Sequence, residues 1–191
     1  NSMKSGKIII ISAPSGSGKS TIINQIIGNE KLKLKFSVSA TNRSPRVGEE
    51  DGVSYHFLTT EQFQDAIKEN KFVEFEEVYP GRYYGTLKSE VQKILDGGNN
   101  LILDIDVKGG INVKKLYPDA LALFIMPPSI EALKERLINR NTDNEETINQ
   151  RISKAEYEIS FAKEYDKIVV NDDLSVAVEE TTKVLTEFIN S

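Results

Sequence analysis

The sequence predicts an α/β protein with a central parallel sheet flanked by helices, and three observations carry that prediction. Near-continuous aliphatic runs recur at Ile8 to Ile11, Leu101 to Ile105, Leu121 to Met126 and Ile168 to Val170. Helix-length amphipathic stretches lie between them, as crossovers between parallel strands buried on both faces require. One segment, Phe36 to Tyr84, breaks the alternation with short, mixed, turn-rich stretches.

The run Ile8 to Ile11 is entirely β-branched and reads as the first strand, with a helix predicted over Lys19 to Ile27. Inside Phe36 to Tyr84, Ser54 to Leu58 and Phe72 to Val78 are bounded by turn signals at Asp51-Gly52 and Pro80-Gly81. That pattern predicts a small antiparallel insertion, made α+β by a helix over Thr60 to Asn70. Further helices are predicted over Leu87 to Leu95, Ser129 to Arg140, Glu145 to Tyr165 and Leu174 to Ile189. Thr60 and Ser129 read as helix caps, and Pro127-Pro128 stops the strand before the second of them.

Composition narrows the chemistry. The 191 residues are 39% hydrophobic and 28% charged, a globular balance that excludes global disorder. Lys and Arg number 24 against 29 Asp and Glu, a net charge of −5, which argues against a nucleic acid or an anionic membrane as partner. The absence of cysteine excludes disulfides, thiolate nucleophiles and cysteine zinc sites, and a single histidine, His56, excludes a His-rich metal site. No apolar run approaches the roughly 18 to 20 residues that span a bilayer. Lys4 and Lys7 flank too short a stretch for a signal peptide, and Asn1 and Ser2 ahead of Met3 read as an expression remnant. A cytoplasmic protein is expected, and the sequence assigns it no oligomeric state.

The first strand runs into Ala13-Pro14-Ser15-Gly16-Ser17-Gly18-Lys19-Ser20-Thr21. This is a P-loop pattern: a Gly-rich turn aims backbone N–H groups and a helix N-terminus at phosphates, and a Lys and a hydroxyl complete the set. The strict pattern has Gly where this chain has Ala13, yet Gly16 and Gly18 remain where the backbone approaches its ligand closely. A Gly/Ser surface loop with an accidental Lys is the alternative, and the strand-to-helix setting argues against it. The expected ligand is a nucleoside triphosphate with Mg²⁺, Lys19 bridging the β- and γ-phosphates and Ser20 ligating the metal. The fold expected is therefore that of a P-loop NTPase.

A P-loop does not separate hydrolysis from transfer to a second substrate. Arg43 and Arg46 flank Ser44-Pro45, with Tyr55 shortly after. They read either as a fork for a doubly charged phosphate or as a solvated basic turn. Asp104 and Asp106 end the run from Leu101, where carboxylates serve as caps or face a ligand at the C-terminal edge of a parallel sheet. Arg140 and Arg151 flank the polar stretch Asn141 to Gln150 and read as a pair closing over transferred phosphate, or as helix-surface arginines. His56 reads as a packing or surface residue.

The Ala-Pro-Ser-Gly-x-Gly-Lys-Ser loop, the Ser37 to Glu49 run, Tyr83-Tyr84-Gly85, Leu103 to Asp106 and Val170 to Asp173 follow one another in an order that resembles the guanylate kinase family over nearly the whole chain. The resemblance implies ATP-dependent phosphorylation of GMP, and of dGMP, by direct in-line transfer in purine nucleotide metabolism. It implies a core over 4–35, 87–139 and 152–191, a GMP-binding insertion over 36–86 and a helical lid over 140–151. Carried over by position, Arg43, Arg46, Tyr55 and Tyr84 hold the GMP phosphate, with Glu49 in the same motif. Ser39, Glu74 and Asp104 read guanine, Thr86 fills the hydroxyl position after Tyr84-Gly85, and Asp106 lies at the acceptor and reaches the Mg²⁺ shell through water. Only the resemblance selects Glu74 over Glu76 and Glu77. Ala13 to Thr21 and Asn171 bind ATP, and Lys19, Arg140 and Arg151 are the catalytic cations. Two positions depart from the family pattern: Asn42 stands where Thr is expected, and Asn141 where Gly is expected. The alternatives are another P-loop small-molecule kinase and a noncatalytic guanylate-kinase-like module that binds phosphopeptides.

Overall fold

The computed structural model describes residues 4–140 and 144–191, so the readings made at Asn1, Ser2, Met3 and Asn141 lie outside the described residues. In chain order the elements are β1 (Ile8–Ser12), α1 (Lys19–Ile26), β2 (Leu34–Lys35), β3 (Ala40–Thr41), β4 (His56–Phe57), α2 (Thr60–Lys68), β5 (Phe72–Tyr79) and β6 (Arg82–Leu87). They continue with α3 (Lys88–Asp96), β7 (Asn100–Asp104), α4 (Val107–Leu116), β8 (Leu121–Met126), α5 (Ile130–Asn139), α6 (Glu145–Ile159), β9 (Lys167–Val170) and α7 (Leu174–Ile189). Contacts divide the chain into two units. One comprises Ile8–Leu34 and Ile102–Ser191; the other comprises Lys35–Leu101 with the described residues up to Lys7.

The larger unit is organised by the sheet of order β2-β7-β1-β8-β9, in which β1 pairs parallel with β8 and β8 with β9. Successive strand residues face opposite sides, so Ile9 and Ile11 join Ile22, Ile23 and Ile26 of α1 and Ala177 and Leu185 of α7 in one core. Each fully buried Ile or Leu contributes about 1.5 to 3 kcal/mol, against about 0 to 1 kcal/mol for a part-exposed ion pair such as Lys114–Asp166, so apolar burial holds the sheet together.

On the other face, α4 packs on β1 and β8. The sequence reading missed this helix because Gly109 and Gly110 read as breakers. Close approach explains Gly110: a Cβ there would collide with the Tyr165 hydroxyl and lie 2.9 Å from Ser12 Oγ and 3.2 Å from Ile10 Cγ2. Tyr165 in turn donates to the Val107 carbonyl at 2.9 Å, fixing the first turn of α4.

The smaller unit holds a mixed sheet of order β4-β3-β6-β5, with β3 parallel to β4 and antiparallel to β6, and β5 and β6 forming a hairpin. Gly81, at φ 82°, makes the turn that Pro80-Gly81 signalled. Phe63 of α2 is fully buried and stacks on Phe72 at 4.5 Å and on Tyr83 at 5.3 Å, tying α2 to both hairpin strands. α3 packs on β6 in this unit, which therefore extends past the insertion expected over 36–86.

Most predicted elements are present with ends shifted by a few residues. Ser129 caps α5 as expected, accepting from Ala132 N at 3.0 Å. The α2 cap is a correction: Thr59, not Thr60, accepts from Gln62 N, and the Gln62 side chain returns the bond to Thr59 N in a capping box. The helix predicted over Glu145 to Tyr165 ends at Ile159, followed by a single 3-10 turn at Ala162–Glu164. β6 occupies residues for which no strand was predicted, because Gly85 interrupts its pattern; a Cβ there would lie 2.9 Å from the Glu74 carbonyl oxygen.

Gly110→Ala tests the close packing of α4. The expected outcome is a loss of about 1 to 3 kcal/mol, seen as a melting temperature lowered by about 2 to 4 °C per kcal/mol. An unchanged melting curve would mean that the α4 contact tolerates a methyl group.

Candidate active site

β1 ends at Ser12, which is fully buried and donates through Oγ to the Ile105 carbonyl at 2.8 Å, joining the end of β1 to the end of β7. The loop Ala13 to Gly18 then delivers the chain to α1. Gly16 and Gly18 both have positive φ, 81° and 82°, a conformation that favours glycine. Gly18 is constrained twice, because a Cβ there would also collide with the Asn171 amide nitrogen. That nitrogen donates to the Ser17 carbonyl at 2.9 Å. Ala13 is tolerated in place of Gly because it needs no left-handed backbone and its methyl joins the core beside Ile11 and Ile22. The first turn of α1 has neither an acidic residue nor a side-chain cap, so its N–H groups and the positive end of the helix are available to an anion.

Beside this loop in the same unit is a cleft of about 360 Å³, lined by Gly16, Gly18, Thr21, Arg136, Arg140 and Asn171 among others. Arg136 donates through Nη2 to the Asn171 carbonyl at 2.9 Å. Arg136 is not among the site residues expected from the sequence. Its only signal was its position one turn before Arg140. Arg140 ends α5 and is exposed, and Arg151 lies on α6, half-exposed. The two helices are clasped through Leu133, Leu137, Ile148 and Ala155. Residues 141–143, inside the expected lid, lie outside the described residues.

Lys19 forms an ion pair with Asp104 at the end of β7. Asp106 caps α4, accepting from Gly109 N at 3.0 Å. Glu158 of α6, which sequence reading did not single out, titrates above the usual carboxylate range. Burial is the main cause and Asp106 adds to it, while Lys154 and Lys19 oppose it. Burial likewise pushes the Tyr165 hydroxyl up to about 12, keeping it a donor to Val107 at neutral pH.

In the smaller unit, Arg43, separated from β3 by Asn42, is 7% exposed. Glu49 meets it with two bonds of 2.8 Å, and its Oε1 also accepts from Arg46 N at 2.7 Å, so the turn through Pro45 and Gly48 folds back on itself. The Arg43 guanidinium lies 5.2 Å from the Tyr55 ring centre, and bonds to Tyr84 and Tyr55 add to the effect of Glu49 in holding it charged. Tyr55 and Tyr84 meet edge to face at 5.9 Å. Arg43, Tyr55 and Tyr84 thus come together as the resemblance implied, and Glu49 commits both oxygens to the loop itself. The Arg46 side chain is exposed.

Glu74 of β5 accepts a bond of 2.8 Å from the Thr86 hydroxyl on β6. The Ser39 carbonyl accepts from His56 N at 2.8 Å, and the His56 ring bonds Glu90 of α3 at 2.7 Å, giving this histidine a packing role. Among the described residues no cluster of three or more His, Cys, Asp or Glu side chains is arranged to hold a metal.

The Arg43 guanidinium, followed by the Arg46 N–H, holds the Glu49 carboxyl down at about 2, below the ordinary 4.5. A folded-state pKa below the unfolded one contributes stability that is complete above the unfolded value and is lost as pH falls toward the folded one. Denaturant unfolding from about pH 5 to about pH 2 should therefore show a stability gap between wild type and Glu49→Gln that narrows as the pH drops. A gap that stays constant would detach Glu49 from this titration.

A family model described as guanylate kinase matches residues 5–190. A guanylate kinase of Bacteroides thetaiotaomicron is 55% identical over 97% of this chain and 91% of its own length. That of Porphyromonas gingivalis is 54% identical over 96% and 98%. The crystal structure of guanylate kinase from Anaplasma phagocytophilum superposes with a TM-score of 0.69 at 28% identity, covering 98% of this chain and 88% of that one. With its P-loop pinned by Asn171 and its Arg43, Tyr55 and Tyr84 gathered as the motif order requires, the chain belongs to the guanylate kinase family.

Proposed function

We infer that the chain performs the reaction of its family, ATP-dependent phosphorylation of GMP to GDP, with dGMP as a second acceptor, in purine nucleotide metabolism in the cytoplasm. The observation that carries this reading is a complete phosphate-binding set in each unit. One is the glycine loop with Lys19 held by Asn171; the other is buried Arg43 with Tyr55 and Tyr84. A module that only binds would need no Lys19 at a P-loop. Among the described residues no helix is long and apolar enough to cross a membrane, and neither a nucleic acid nor a membrane is proposed as partner.

In the proposed reaction a GMP phosphate oxygen attacks the γ-phosphorus of ATP. The new P–O bond forms opposite the breaking bond to the β–γ bridging oxygen, which leaves on ADP with the electron pair. The acceptor oxygen is already anionic, so no general base is required, and the protein contributes position and charge. Lys19 and the α1 N-terminus hold the β- and γ-phosphates. Arg140 and Arg151 meet the charge that spreads over the transferred group. Arg43, Arg46, Tyr55 and Tyr84 hold the acceptor phosphate, with Glu49 orienting the loop. Lys19 must exchange its Asp104 contact for phosphate when ATP binds.

Guanine offers N–H donors at N1 and N2 beside a carbonyl acceptor. A carboxylate at Glu74, held by Thr86, suits those donors, with Asp104 as a second acceptor, and the Ser39 hydroxyl suits the carbonyl. Adenine lacks the donors and would leave buried polar groups unpaired.

Mg²⁺ fits the donor set of the larger unit. Ser20 presents an exposed hydroxyl in the first turn of α1, and Asp106, the cap of α4, supplies a carboxylate that would meet the ion through water. A metal held by one hydroxyl, nucleotide phosphates and water needs no acidic cluster. When bound, it supplies charge neutralisation of the phosphates.

Two measurements test the assignment. Turnover with Mg-ATP should be greatest for GMP, lower for dGMP and far lower for AMP and UMP; AMP turnover equal to or above that of GMP would reject guanine reading. Lys19→Ala should lower kcat by at least about a hundredfold. Its melting temperature should hold, because the Lys19–Asp104 pair is part-exposed and worth about 0 to 1 kcal/mol. Unchanged turnover would remove Lys19 from the reaction.

A further inference from the structure

Asn42 sits between Thr41, the last residue of β3, and Arg43, and its carboxamide is fully used. Nδ2 donates to Thr60 Oγ1 at 2.9 Å and to the Gly81 carbonyl at 2.7 Å, and Oδ1 accepts from Tyr83 N at 2.9 Å. The partners come from the first residue of α2, the β5–β6 turn and strand β6. Thr41 completes the grip: its hydroxyl donates to the Tyr83 carbonyl at 2.8 Å and accepts from Arg43 N at 3.2 Å. Both backbone polar groups of Tyr83 are therefore satisfied by side chains of the two residues preceding Arg43. The ladder between β3 and β6 ends at Thr41 opposite Tyr84, and the Asn42 side chain extends it by one position.

We propose that Asn42 is a positioning residue for the acceptor-phosphate site, fixing Tyr83 and the hairpin turn against the start of the Arg43 loop and so setting the distance between Arg43 and the hydroxyl of Tyr84. The proposal rests on the reading of Arg43 and Tyr84 as phosphate ligands. A threonine, the residue expected here from the family pattern, has one hydroxyl donor and cannot bond Thr60 and Gly81 together. The carboxamide supplies two donors and a carbonyl acceptor, which together meet all three partners. A shift of Tyr84 relative to Arg43 weakens their joint grip on the acceptor phosphate, so the loss falls on the acceptor and leaves the donor nucleotide untouched.

Asn42→Asp keeps the shape and the acceptor, removes both donors and turns a carboxylate toward the Gly81 carbonyl. It should raise KM for GMP by about tenfold while KM for ATP stays within about twofold. Hydrogen exchange at the Tyr83 amide should accelerate. Asn42→Thr, which retains a hydroxyl able to accept from Tyr83 N and one donor, should raise KM for GMP by about threefold, and it carries the test if the Asp variant does not fold. Wild-type protein that phosphorylates GMP, with both folded variants keeping its KM for GMP or changing the two KM values in proportion, would overturn the role of Asn42 alone. Wild-type protein that does not phosphorylate GMP would overturn the acceptor reading, and this proposal with it.

Discussion

The glycine loop after β1 is held by a long-range hydrogen bond from the Asn171 amide to the Ser17 carbonyl at 2.9 Å. A P-loop has few internal bonds of its own, since its N–H groups must stay open to phosphate. Here a backbone bond that closes the turn, Ser17 N to the Pro14 carbonyl, is long at 3.3 Å. Asn171, itself almost wholly buried at the end of β9, supplies the missing restraint from 154 residues away. Its carbonyl is fixed in turn by Arg136, so the loop, the end of β9 and helix α5 form one chain of bonds. Gly18 is then required for two separate reasons, its left-handed backbone and its contact with Asn171.

The loop from Arg43 to Glu49, the proposed acceptor loop, is closed by different chemistry, a charge. Glu49 bonds the Arg43 guanidinium through both oxygens and the Arg46 N–H through one of them, so a run of turn residues acquires a fixed shape. A buried arginine left alone would be strongly unfavourable, and the carboxylate satisfies it in planar, bidentate geometry. The Arg43 Nε nonetheless has no protein partner among the described residues, which leaves the guanidinium with capacity for an additional acceptor.

Much of this was legible in the sequence because the physics involved is local. The aliphatic runs marked four of the five strands of the larger sheet, the P-loop spacing marked the glycine loop, and Arg43, Tyr55 and Tyr84, grouped by the motif order, lie together. What was illegible depends on contacts distant in sequence. α4 was missed because Gly110 signals helix breaking locally, while the close approach of Tyr165, 55 residues later, is what requires it. Arg136 gave no sign of its bond to Asn171, and Glu158 none of its proximity to Asp106 and Lys19. The true cap of α2 was misplaced by one residue because Thr59 and Thr60 are adjacent, and only the reciprocal bond from Gln62 separates them. Asn42 stood out as a departure, but its three partners, 18, 39 and 41 residues away, follow only from the fold.

The acidic balance of the chain also acquires a physical meaning. A net charge of −5 seemed at odds with a protein that collects anions. Yet the cation at each phosphate-binding set is already matched by a carboxylate of the same unit, Lys19 by Asp104 and Arg43 by Glu49. The two pairs differ in kind. Glu49 is tied by several bonds and titrates near 2, so it stays charged and remains in place as part of the loop. Asp104 is more exposed, at 36%, and holds Lys19 through an ion pair alone, the kind of contact that contributes little and exchanges readily. On the proposed reading, a phosphate at Lys19 displaces a weak partner, while one at Arg43 adds to a strong one. The permanent carboxylate lowers the positive charge offered there, so hydroxyls such as Tyr55 and Tyr84 supply the rest of the grip.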